Sequence, residues 1–164
     1  MIPVDQIRTG RPLGQCMEAS IASVLEVALA DVPDLYDPED PQRARTWPRL
    51  LRWLAERGWA WVGGPLGRDV PAAELELPRD LPDVAIGCGL TTPDDWTGWC
   101  LLLGVNPDGL GHAVVGRAGA IVHDPNPSRR GLVTIDEVAV LLPLARLERW
   151  PACYATGGAM WRLP

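Results

Sequence analysis

Cys16 stands where an irregular, glycine- and proline-broken segment gives way to a helical pattern. A thiol at that place has its own chemistry. The first amide N–H groups of a helix lack internal partners, and the helix dipole favours an anion there, so ionisation to the thiolate is made easier. Gly14, two residues earlier, lets the backbone approach closely. The competing reading is a buried structural cysteine, the ordinary fate of a thiol outside a disulfide. What separates the two is a base, and the chain has only two histidines.

His112 opens the apolar run Gly111-His112-Ala113-Val114-Val115, and His123 precedes Asp124-Pro125. Both runs read as strands of one hairpin. A three-residue loop Arg117-Ala118-Gly119, with Gly119 left-handed, pairs residue 116 with 120 and 112 with 124. His112 and Asp124 are then directly opposed, their side-chain origins about 5 Å apart. A two-residue Ala118-Gly119 loop instead brings His123 onto the face of His112, at the cost of a positive φ at Ala118. The first register is therefore expected, with His123 off the site.

Thiolate, imidazole and carboxylate form a nucleophilic set. The thiolate attacks a carbonyl, the imidazolium protonates the leaving group, and the carboxylate fixes the imidazole tautomer and orientation. The oxyanion needs donors. The Cys16 backbone amide is one, and Gln6 or Gln15 supplies the other. Gln6, on the incoming segment, is preferred, because a side chain adjacent to the nucleophile tends to point away from it; both stay candidates.

The order Gln, Gly-x-Cys opening an Ala/Ser-rich helix, His-Ala-Val-Val and Val-His-Asp-Pro resembles papain-like cysteine peptidases. It is most similar to the double-glycine peptidase domains that process bacteriocin precursors. The resemblance implies that Gln6 serves the oxyanion, Cys16 is nucleophile, His112 is base and Asp124 orients it. Its specific motifs lie in residues 6–25 and 111–127. The chain departs from that family in reading Gly14-Gln15-Cys16-Met17 around the nucleophile, where Asp-Cys-Gly is usual, and in placing nine residues between Gln6 and Cys16.

The elements that must position these groups follow from periodicity. Met17, Ile21, Val24, Leu25 and Ala28 recur at helical spacing, predicting a central helix from Cys16 to about Ala30, stopped by Pro33. A second helix is expected from Pro48 to Arg57, with Gly58 beyond it. Strands are expected at 59–63, 84–88, 99–105, 112–117, 120–124, 145–150 and 159–163, with residues 64–83 irregular. The Thr134…Glu137 spacing reads as a capping box for a short helix at 135–142. The fold class is thus α+β: one papain-like domain over residues 1–164, with the Cys-bearing N-terminal helix packed on an antiparallel sheet bearing His and Asp.

Composition bounds the partners. The net charge is −6, every basic residue is Arg, and neither Lys nor Phe occurs, so lysine chemistry is excluded. An acidic chain without a basic stripe argues against nucleic acid. No apolar run spans a membrane and no secretory signal is visible, which predicts a cytoplasmic protein. Cys16, Cys88, Cys100 and Cys153 are widely and irregularly spaced, so neither a zinc knuckle nor a disulfide framework is expected, and no metal or cofactor. Of the eight Trp, most are assigned to the core; Trp96 and Trp99, in a Gly/Thr/Asp-rich stretch, and Asn126 and Arg129, in the loop after Asp124, are candidate substrate contacts. The expected partner is a peptide or protein substrate, cleaved through an acyl-enzyme; the sequence does not set the oligomeric state. Deamidation or acyl transfer by the same triad, and a non-catalytic binding protein on the same scaffold, are the alternatives.

Overall fold

Small side chains decide how the first helix packs. Helix α1, Cys16–Leu25, carries Ala19, Ser20, Ala22 and Ser23, each with no exposed surface, so neighbours close in from several sides. The computed structural model describes residues 1–9, 14–36, 39, 45–74, 98–117 and 120–144. α1 ends earlier than its apolar spacing predicts. Glu26 turns left-handed at φ 57°, donating its N–H to Ala22 O. A 3₁₀ turn, Leu29–Asp31, then leads Val32 and Leu35 into the same core.

Helix α2, Thr46–Glu56, begins two residues before the expected Pro48. Proline falls within its first turn, where no intrahelical N–H is required. Leu50 and Leu54 form its buried stripe, and Gly58, at φ 79°, turns the chain into the sheet.

The strands are β1, Trp59–Pro71; β2, Trp99–Val105; β3, Gly111–Arg117; β4, Ala120–His123; and β5, Thr134–Pro143. They form one antiparallel sheet in the order β1-β5-β2-β3-β4. Among the described residues the protein is therefore α+β, two α-helices against a five-stranded sheet.

Two expectations are corrected. Residues 135–142 are strand, not helix: β5 pairs with both β1 and β2. Its run Val138–Leu142 is buried throughout because both sheet faces are covered, which removes the alternation that would have marked a strand. Residues 64–71, read as irregular, extend β1, which resumes pairing at Val70 and Pro71 after a register shift. The expected strands at 84–88, 145–150 and 159–163, with Cys88 and Cys153, lie outside the described residues.

The sheet separates two cores. On one face Leu101, Ala113, Ala139, Leu141 and Trp61 pack against α1 and α2. Trp61 meets Trp47 edge-on, ring centres 5.1 Å apart, so both sit at the helix layer. On the other face Val62, Cys100, Leu102, Val114, Leu132, Ile135 and Val138 form a second cluster. No described helix is long and apolar enough to cross a membrane.

Candidate active site

The β3–β4 hairpin follows neither of the uniform registers open to its sequence. Next to the turn, Arg117 pairs with Ala120 and Gly116 with Ile121, the two-residue-loop register. The register then shifts, and Val115 faces His123, leaving Val122 as the extra residue of a bulge. The expected 116–120 and 112–124 pairs do not form. The bulge nevertheless restores the face: with His123 opposite Val115, alternation turns Asp124 to the side of Val114 and His112. His112 Nε2 lies 2.7 Å from Asp124 Oδ1, both side chains buried.

A dense set of donors surrounds the Asp124 carboxylate. Oδ1 also accepts the Asn126 N–H at 2.8 Å, and Oδ2 accepts the Gly131 N–H at 2.7 Å. Burial pushes the Asp124 carboxyl up. The N–H donors of Gly131 and Asn126 and the bond from His112 outweigh it, and hold its pKa below the ordinary carboxylate value. An ionised carboxylate only accepts, so His112 Nε2 carries the proton of this bond and Nδ1 presents a lone pair in the neutral ring.

The other histidine belongs to a different structure. His123 Nε2 reaches Val4 O at 3.0 Å and stands 3.7 Å from the Asp5 carboxylate. It is thus off the His112 pair, as expected, and it holds the N-terminal segment. The same segment is bound to α1, where Ser23 Oγ accepts the Val4 N–H at 2.9 Å. Gln6 N–H donates to Pro125 O at 3.0 Å, next to Asp124.

These contacts separate the two glutamines. Gln15 Oε1 accepts the Arg8 N–H at 3.2 Å, tying its side chain into the incoming turn. Gln6 is buried, and its Oε1 has no hydrogen-bond partner. A half-turn of that amide places its NH2 group at the same point.

Cys16 is the first residue of α1, half-buried, a thiol rather than half of a disulfide, and it packs against the helix-side core. One helical turn on, Ser20 Oγ donates to Ala113 O at 3.3 Å, joining α1 to β3 beside His112. Cys100 is fully interior, and burial pushes its thiol up to about 12.

Trp99 is not brought to the pair. It begins β2 opposite Arg117, whose guanidinium lies 5.0 Å from its ring centre. His112 is five residues back along β3, roughly 17 Å of strand away. Asn126 is adjacent to the site, but its side-chain oxygen accepts the Ser128 N–H at 3.0 Å within the loop. Trp96 lies outside the described residues. Sequence reasoning missed Gly131 as a donor to Asp124 and Asp5 as a partner of the loop. No residue-type signal marks either; both arise from tertiary approach.

Among the described residues no group of three or more His, Cys, Asp or Glu side chains is placed to hold a metal ion. Comparison of the chain with family models, curated proteins and solved structures finds no match.

Proposed function

We propose that the chain is a thiol hydrolase of papain-like architecture, cleaving a peptide or isopeptide bond through a thioester acyl-enzyme. One observation carries this reading: His112 is fixed through Nε2 by a carboxylate that two backbone N–H groups hold ionised. A buried Asp is costly unless paired, and a buried His–Asp pair at a strand end has no packing role that an apolar pair would not fill as well.

In the proposed reaction Nδ1 of His112 takes the Cys16 thiol proton, and the thiolate attacks the carbonyl carbon. The carbonyl electrons move to oxygen, held by the Cys16 N–H and Gln6. As the intermediate collapses, the imidazolium gives its proton to the departing amine, and water then cleaves the thioester with His112 as base. Asp124 keeps the ring in the required tautomer and stabilises its cation. The reading requires the thiol to meet Nδ1 across the end of β3, since alternation turns Ala113, not His112, toward the body of α1.

The test is the pH dependence of Cys16 alkylation by iodoacetamide, followed by peptide mapping. A thiolate–imidazolium pair alkylates Cys16 well below pH 7, and His112→Ala moves the profile up to that of an ordinary thiol near 8.5. A wild-type Cys16 that already titrates near 8.5 removes the enzyme reading.

A further inference from the structure

The segment bearing Gln6 and the loop bearing Asp124 are far apart in sequence and joined in space by the Gln6 N–H to Pro125 O bond, by His123 on Val4 O and by the side chain of Arg129. Arg129 donates from one guanidinium nitrogen to the backbone carbonyl of Asp124. Its other terminal nitrogen lies 2.7 Å from the Asp5 carboxylate, and Asp5 directly precedes Gln6. Arg129 takes a left-handed backbone, φ 52°, uncommon for a residue with a Cβ, and its N–H closes the turn onto Asn126 O at 2.9 Å.

We propose that Arg129 is a positioning residue that sets the oxyanion donor Gln6 against the His112–Asp124 pair, through Asp5. The proposal rests on the thiol-hydrolase reading and extends it. An exposed ion pair contributes little to stability, and Arg129 and Asp5 are each about half exposed (47% and 50%). A pair of so little thermodynamic weight, on the two segments that must be held in register, fits a task of alignment. Variants at either position are therefore expected to stay folded, which circular dichroism checks.

Two reactions of the same thiol separate alignment from activation. Iodoacetamide needs only the thiolate, because substitution at its methylene carbon forms no oxyanion. Acetylation of Cys16 by p-nitrophenyl acetate forms the S–C bond, passes through a tetrahedral oxyanion, and expels nitrophenolate with the bonding pair of the broken C–O bond. In the full-length protein, Gln6→Ala is expected to slow acetylation on the order of a hundredfold, the effect typical of a lost oxyanion donor. Arg129→Ala and Asp5→Ala are expected to slow it about threefold to fivefold, the range an exposed ion pair can supply, with the iodoacetamide pH profile of Cys16 unchanged. In the Gln6→Ala background, Arg129→Ala is expected to add no further slowing, since residues that act through one another are not additive.

Slow acetylation after Gln6→Ala with normal rates in Arg129→Ala and Asp5→Ala overturns the positioning role and leaves the hydrolase reading standing. A shifted iodoacetamide profile in Arg129→Ala, or full additivity with Gln6→Ala, also overturns it, because the effect then does not run through the glutamine. Acetylation unaffected by Cys16→Ala sinks the hydrolase reading and the positioning role together.

Discussion

Asp124 concentrates more interactions than any other side chain described for the site, and its behaviour with pH follows from them. Its folded pKa is depressed, so its contribution to stability is present above the unfolded value of about 3.9 and is lost as pH falls through the lower folded value. Urea unfolding between pH 2 and 6 is expected to show this loss in the wild type and a flatter profile in Asp124→Asn. Asp124→Ala strips the acceptor from two N–H groups as well and is expected to cost about 1–3 kcal/mol at pH 7. A second outcome concerns Cys100. With its thiol pushed up to about 12 and its side chain interior, it is expected to stay unmodified by iodoacetamide at pH 8 until the protein unfolds, which peptide mapping before and after denaturant checks. The pairing of His112 with Asp124 and the place of Cys16 at the head of α1 are legible in the sequence, because residue type and helical periodicity mark them. Gly131 is not, because it contributes only a backbone N–H, seven residues downstream of Asp124, whose direction is set by the loop's fold.

At the level of elements, the hairpin shows how a correct face can come from an incorrect register. Counting residues around the turn gives one uniform ladder; the bulge at Val122 supplies the odd residue that restores the parity. Bulges follow from local twist and packing, to which a count is blind. Residues 135–142 failed for a related reason: two buried faces make a strand read like a buried helix, and the Thr134…Glu137 spacing tipped the reading wrongly. β2 by contrast ran from Trp99 to Val105 as expected, bounded by turn residues on its far side. Gly104 of β2 pairs with His112 and lies so close to the Thr134 backbone that an added Cβ would overlap the Thr134 carbonyl oxygen. Gly104→Ala is therefore expected to part β2 from β5, lowering stability by roughly 1–3 kcal/mol in denaturant melts. It is also expected to disturb the seat of His112, raising the pH at which Cys16 alkylates.

For the molecule as a whole, the α+β class was readable but the strand order was not, since sequence neighbours β4 and β5 are separated in the sheet by β3 and β2. That order fixes where protection from solvent is greatest. Amide hydrogen exchange is expected to be slowest in β2 and β5, paired on both sides and buried on both faces, and faster in β4 at the sheet edge. Equal rates across β2 and β4 would contradict the order. The bond from His123 to Val4 spans 119 residues and that from Arg129 to Asp5 spans 124. Contacts between positions so distant carry a large loop-closure cost and form late. On the ribosome, where the chain emerges N-terminus first, the first six residues must wait for residues 123–129 before Gln6 has a place to dock. Cys16 leaves the ribosome well before residues 112 and 124, so the nascent chain carries that thiol for more than a hundred residues before the His112–Asp124 pair can form.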